Sequence, residues 1–182
     1  GVARGAKILA YQAQTYRPIP NDPFAPYIAG FGSFDVADAM SESIEDATNA
    51  GLKLTAINLS LGLPGYRTIP QCEVEDLVMR RAIDEIDSKT DLAIVAATGN
   101  RFIGPNGQNS ARYGMAFPAC LSNVVSVSAI TKNGGIANYS EYGVHPALIS
   151  SSLERLVSRC GGTVHVGDEP ARTTPLHVLL PR

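Results

Sequence analysis

"DLAIVAATGN", residues 91–100, decides how the rest of the chain is read. Leu92 to Ala96 is a short, wholly apolar run containing the β-branched Ile94 and Val95, the pattern of a strand covered on both faces. The run stops at Thr98-Gly99-Asn100 and gives way to "RFIGPNG", rich in turn residues. Gly and Asn end strands readily because both tolerate positive φ. An amide at the lip of a buried strand is also a hydrogen-bond donor placed for a ligand. Which of the two describes Asn100 depends on what lies beside it.

Working outward, three further runs read as strands: "KILAY" at 7–11, "LTAINL" at 54–59 and "VVSVSAI" at 124–130. Two helical patterns lie between them. In "SFDVADAMSESIEDATNAG", 33–51, Val36, Met40, Ile44 and Ala47 recur at helical spacing, with Ser33 or Asp35 to cap the start and Gly51 after the end. In "CEVEDLVMRRAIDEIDSK", 72–89, Val74, Leu77, Val78, Ala82 and Ile86 mark one face, and Lys89 sits near the end where the helix dipole favours a cation. Strands alternating with helices predict an α/β domain, a parallel sheet flanked by helices. The proline-rich "YRPIPNDPFAPYIAG", 16–30, reads as a long loop before the first helix. Past Gly143 the periodicity fails and lysine disappears, so 144–182 reads as a divergent tail of unknown structure beyond a 1–143 core, with at most a helical turn or two near 150–159.

Bulk properties bound the function classes. The 182 residues are 45% hydrophobic and 18% charged, which suits one domain with a sizeable core and not a disordered chain. The 15 basic and 17 acidic residues are dispersed, so no basic stripe points to nucleic acid. No apolar run approaches the roughly 18 residues of a membrane span, so no membrane partner is expected. Gly1 in place of methionine reads as a processed or cut end. Cys72, Cys120 and Cys160 lack metal-site spacing and are too few for a disulfide framework; free thiols of a cytosolic protein fit them as well as anything else.

In open parallel sheets, ligands bind beyond the carboxyl ends of the strands. Two loops leave such ends: Ser60-Leu61-Gly62 after the second strand and Thr98-Gly99-Asn100 after the third. If those strands are neighbours, the two loops face one crevice.

Five successive segments, "GVARGAKILAYQ", "ATNAGLKLTAINLSLG", "DLAIVAATGN", "FPACLSNVVSVSAI" and "GGIANYSEYG", resemble in order the central portion of a subtilisin-like serine peptidase, over roughly residues 1–143. The resemblance implies a three-layer αβα fold, here incomplete at both ends. It implies that Ser60, Leu61 and Gly62 pair with an extended peptide or protein substrate and wall its P1 pocket. Ala97, Thr98 and Gly99 are similar to the opposite wall, and Asn100 matches the oxyanion-hole side chain. Phe117-Pro118 resembles a block with a cis peptide bond. A neutral amide on a rigid strand end suits the oxyanion role, because it meets developing negative charge without reorganising and without depending on pH.

The rest of the machinery is not in this sequence. The family's catalytic Asp and His lie upstream of the "GVARGA" block and its Ser lies downstream, in a "GTSMA"-like motif. Ser150-Ser151-Ser152 lacks that context, and His145, His165 and His177 stand in the wrong order, so no catalytic triad is assigned. A shifted frame or rearranged gene near Gly143 is the simplest account of the departure, with a genuine extension as its rival.

Some secreted members of the family carry cysteines at both the Cys72 and Cys120 positions. The resemblance therefore implies a Cys72–Cys120 disulfide, closing a loop of about fifty residues for about 3–4 kcal/mol, and a secreted or extracytoplasmic location. No cofactor is implied. Calcium is bound by some full-length members, but Asp22, Asp35 and Asp38 fit no calcium loop, and solvated or capping roles suit them better. Three readings follow: the middle of a serine endopeptidase, inactive alone; a non-catalytic pseudo-peptidase cleft that binds extended peptides; and a small nucleotide- or ligand-binding domain. The last is disfavoured, because no glycine-rich phosphate loop occurs.

Overall fold

A computed structural model describes residues 6–13, 15–18, 27–67, 69–100, 114–129, 131–133, 137, 139–141, 163–166 and 176–179. The chain separates into two units, residues 1–54 and 55–182.

In the first unit, β1 (Thr15–Pro18) pairs antiparallel with β2 (Tyr27–Gly30), Thr15 opposite Gly30. A hairpin thus stands where the prolines of 16–30 predict only a loop. Proline is compatible with a strand end or edge, and Pro18, opposite Tyr27, is the last residue of β1. Helix α1 spans Ser33–Asn49. Its N-cap is Gly32, one residue before the expected Ser33, and the Asp35 carboxylate accepts from the Gly32 N–H at 3.0 Å. Val36, Ala37, Met40, Ser43 and Ala47 are buried along one stripe, close to the predicted face. Gly51, at φ 63°, turns the chain away in the left-handed region that a helix end favours. The run at 7–11 forms no strand. Ile8 is 86% exposed, and an apolar run becomes a strand only where a neighbour takes up its backbone groups.

The second unit is built on three parallel strands in the order β3 (Ala56–Leu59), β5 (Ala93–Ala97), β7 (Val125–Val127). Register places Ala56 opposite Ala93 and Leu59 opposite Ala96, with Val95 opposite Val125. This is the expected α/β architecture. Between β3 and β5 come β4 (Leu63–Arg67), α2 (Ile69–Glu75) and α3 (Leu77–Lys89). The sequence pattern predicts one helix over 72–89, but Asp76 divides it: its backbone is extended and its Oδ1 accepts from the Val78 and Met79 N–H groups, both at 3.1 Å. The new start resets the phase. Met79, Ile83 and Ile86 are buried, while Val74 and Leu77, expected inside, are 71% and 54% exposed. Arg80 ties the two helices together, donating to the Glu73 carbonyl and pairing with the Glu73 carboxylate at 3.1 Å.

Helix α3 packs against β5, whose Ala93, Ile94 and Ala96 are fully buried. β6 (Met115–Phe117) pairs antiparallel with β4, Leu63 opposite Phe117, and is followed by the buried Ala119, Cys120, Leu121 and Val124. The Phe117–Pro118 bond is cis, as the sequence suggests. Cys72 on α2 and Cys120 after β6 form a disulfide with Cα atoms 5.9 Å apart, so the two cysteines are not free thiols. Beyond Gly143, where no strand is expected, β8 (Thr163–Val166) pairs antiparallel with β9 (Leu176–Leu179). Runs of four residues are too short for their alternation to stand out. Among the described residues no helix is long and apolar enough to cross a membrane.

Candidate functional site

The parallel pairing of β3 with β5 makes the two loops singled out in the sequence neighbours. With Leu59 opposite Ala96, Ser60 leaves its strand at the level where Ala97 ends the next one. The chain then turns through Leu61 and Gly62 into β4. Asn58 steadies this exit, its Nδ2 donating to Ser60 Oγ at 2.9 Å.

β6 lies between the two loops as a splint. The Ala116 N–H donates to the Thr98 carbonyl at 2.8 Å, while the same strand pairs with β4 just past Gly62. Both glycines close on Ala116 as a result. A Cβ built on Gly62 would stand 3.2 Å from the Ala116 methyl, and one on Gly99 would stand 2.9 Å from it. Gly62 and Gly99 thus flank one small side chain, and neither projects anything into the space between. Glycine is required at 99 on a second count, since its φ is +106°.

The end of β5 is held by a dense polar network. Thr98, 2% exposed, donates its N–H to the Val127 carbonyl at 3.0 Å and its hydroxyl to the Glu141 carbonyl at 2.7 Å. Ser128 and Ser140 also aim hydroxyls at that carbonyl, each at 3.1 Å. The Glu141 N–H donates back to the Gly99 carbonyl at 3.0 Å, and Asn100 forms a backbone bridge with Ser140. Ser140 Oγ in turn accepts from the Ala129 N–H at 3.0 Å. The Thr98, Ser128 and Ser140 hydroxyls and the backbone of Gly99 and Glu141 are all engaged in fixing this strand end. Asn100 itself is exposed at the lip.

The structure therefore brings Ser60, Leu61 and Gly62 beside Ala97, Thr98 and Gly99, with Asn100 at the edge. Ala97 and Asn100 are exposed, Leu61, Gly62 and Gly99 are half-buried, and Thr98 is buried as a strut. Sequence reasoning missed Ala116 and Glu141. The signal for Ala116 is its place just before Phe117-Pro118; that for Glu141 is an acid inside the otherwise neutral "IANYSEYG". Among the described residues there is no group of three or more His, Cys, Asp or Glu arranged to hold a metal ion. The segment 101–113, which follows Asn100, and all three histidine side chains lie outside the described side chains.

The family model for the subtilase family, peptidase S8, matches residues 1–163. Among solved structures the chain is similar to the prenylagaramide maturation protease PagA, at 24% identity and a TM-score of 0.44, over 63% of this chain and 34% of that one. It is similar to the self-cleaved protease domain of PatA at 25% identity and a TM-score of 0.44, over 62% of this chain and 35% of that one. A lanthipeptide protease is similar at 25% identity and a TM-score of 0.41, over 63% and 32%. The chain spans about a third of the length of these three structures. No curated protein matches it.

Proposed function

This chain belongs to the subtilase family, and from that premise we propose that it supplies the substrate cleft and oxyanion hole of a serine endopeptidase domain whose catalytic Asp, His and Ser are not among its residues. The observation that carries the reading is the convergence of Gly62 and Gly99 on Ala116, at adjacent carboxyl ends of parallel strands, with Asn100 at the lip.

The chemistry follows from that placement. An extended peptide laid between the loops finds backbone groups at Ser60 to Gly62 and meets no side chain at the two glycines. Attack by a serine hydroxyl on the scissile carbonyl moves negative charge onto its oxygen. The Asn100 amide, fixed by the network behind Thr98 and Gly99, donates an N–H to that oxygen without having to reorganise. The nucleophile, the base that accepts its proton and the acid that orients the base come from elsewhere in the domain. Alone, the chain binds peptide and does not cut it. Its Cys72–Cys120 disulfide supports an extracytoplasmic setting.

The test uses a fluorescein-labelled Ala-Ala-Ala-Leu peptide, whose free carboxylate stands in for the oxyanion. Fluorescence anisotropy is expected to show saturable binding to the 182-residue chain. Asn100→Ala is expected to weaken it about tenfold, the scale of a hydrogen bond to a charged group. Absence of binding, or indifference to the substitution, overturns the cleft assignment. Hydrolysis of a peptide by the purified chain overturns the claim that the triad is missing.

A further inference from the structure

We infer that the Ser140 hydroxyl is a positioning group for Asn100: it pins the segment bridged to Asn100 onto the chain leaving β7, and so sets where Asn100 stands at the lip. The inference rests on the reading of Asn100 as the donor that meets the peptide, and adds a residue that acts through it.

Ser140 is a joint between two strand ends. On one side lies Ala129, two residues past the end of β7. The Ala137 N–H donates to the Ala129 carbonyl at 2.9 Å, and the Ala129 N–H donates to Ser140 Oγ at 3.0 Å. Both backbone groups of Ala129 thus go to the segment 137–140, with the hydroxyl in the acceptor place that a carbonyl fills in an ordinary strand pair. On the other side lies the end of β5. Ser140 forms a backbone bridge with Asn100, and the next residue donates its N–H to the Gly99 carbonyl at 3.0 Å. Ser140 is 2% exposed, so its bonds are sheltered from competition by solvent.

The neighbouring hydroxyls do a different job. Thr98 Oγ1 donates to the Glu141 carbonyl at 2.7 Å, and the Ser128 and Ser140 hydroxyls each stand 3.1 Å from the same oxygen. A carbonyl oxygen has two lone pairs, so two of the three satisfy it, and Thr98 Oγ1 and Ser128 Oγ are also bonded to each other at 3.1 Å. Ser128 is therefore replaceable: without it, Thr98 and Ser140 still hold the carbonyl. Ser140 is not, because its oxygen also takes the Ala129 N–H. Its removal loosens residues 139–141 from the β7 side while Asn100 stays bridged to them, so the lip moves with the loosened segment. A donor displaced by about 1 Å loses much of its effect on the group it serves.

A double-mutant cycle, read by anisotropy titration of the labelled Ala-Ala-Ala-Leu peptide against the whole chain, tests the inference. Ser140→Ala is expected to weaken binding about fivefold where Asn100 is present, and less than about twofold on top of Asn100→Ala. Ser128→Ala is expected to stay within about twofold of the unsubstituted chain. A merely structural role for Ser140 would weaken binding by the same factor in both backgrounds. Equal effects in the two backgrounds, or a loss from Ser128→Ala as large as that from Ser140→Ala, overturn the inference and leave the reading of Asn100 standing. If Ser140→Ala does not fold, amide hydrogen exchange on the unsubstituted chain serves instead. Saturating peptide is expected to slow exchange of the Ala129 N–H about threefold or more and to leave the Thr90 N–H at the end of α3 unchanged, because a ligand that needs the joint closed suppresses its opening. Ala129 exchange unaffected by bound peptide overturns the inference. Absence of peptide binding, or binding indifferent to Asn100→Ala, overturns the reading of Asn100 and the inference together.

Discussion

The Glu141 N–H donates to the Gly99 carbonyl at 3.0 Å, while a carboxylate oxygen of the same glutamate fills the space where a side chain on Gly99 would go. One residue thus fixes the backbone next to Asn100 and forbids any side chain there. The geometry behind the lip comes from three short segments, Thr98–Asn100, Met115–Phe117 and Tyr139–Glu141, each locked to another by backbone hydrogen bonds. Rigidity of this kind suits the oxyanion role proposed for Asn100, since a donor that must reorganise loses much of its advantage.

Gly99→Ala is expected to be severe. The new methyl meets Glu141 Oε2 at 2.4 Å and Ala116 at 2.9 Å, on a backbone at φ +106°. Left-handed strain and overpacking together come to about 2–5 kcal/mol. Gly51→Ala is the control: its φ is +63° but nothing lies within 4 Å, so only the conformational cost of about 1–2 kcal/mol applies. Urea melts of the two variants should separate them clearly. Equal destabilisation would mean that the packing around Gly99 is looser than described.

Asp76→Ala removes the cap that divides α2 from α3. Its Oδ1 accepts from two N–H groups, so the loss is expected at about 1 kcal/mol, within the range of 0.5–2 for such caps. Asp76→Asn, which keeps an acceptor oxygen, should recover most of it. Guanidinium midpoints measure both. A neutral Asp76→Ala would indicate that the interhelix link from Arg80 to Glu73 suffices to hold this junction.

The parts of the fold legible in the sequence are those where one-dimensional pattern and three-dimensional packing agree. The run of β5 is apolar because its Ala93, Ile94 and Ala96 are buried, and α1 shows its stripe because one face is buried throughout. The second helix misleads for a local reason. Val74 and Leu77 keep the apolar spacing, but a capping aspartate between them resets the turn, so the buried face begins at Met79. β4 and β6 were illegible because "LPGYR" and "MAF" carry little strand signal and exist only through each other. At the candidate site, the adjacency of the Ser60–Gly62 and Thr98–Asn100 loops follows from the ends of neighbouring strands. Glu141 does not, because its role depends on a segment over forty positions away folding back against Gly99.

The Tyr11 phenol donates to Asp46 at 2.5 Å, and this bond to a carboxylate, with lesser help from charge on Asp46 and Glu42, holds the phenol up at about 12. A folded value above the unfolded 10.0 means the folded form keeps its proton longer. The contribution to stability is therefore complete below about pH 10 and is lost as pH rises toward 12. Tyr11→Phe should be less stable than the unsubstituted chain at neutral pH and converge with it through that window. Denaturant midpoints followed against pH give the comparison, and a difference that stays constant to the end would show that the bond does not form in solution.

The disulfide joins α2 to the turn after β6, and a Cys120 N–H bond to the Ala116 carbonyl continues the connection to the residue that Gly62 and Gly99 flank. Its sequence separation of 48 residues sets the entropy that it removes from the unfolded chain, about 3–4 kcal/mol in the loop-closure model. Both cysteines are fully buried. Native protein treated with iodoacetamide is therefore expected to take up no label at Cys72 or Cys120, and to take it up at both after unfolding and reduction. Reduction alone should lower the unfolding free energy from urea melts by about 3–4 kcal/mol and, through Ala116, weaken binding of the labelled Ala-Ala-Ala-Leu peptide. Cys72→Ala/Cys120→Ala should behave like the reduced protein, with the smaller residues adding a cavity cost that reduction does not carry. Labelling of both cysteines in the native, unreduced protein would remove the bond from the account, and peptide affinity unchanged on reduction would show that the cleft wall stands without it.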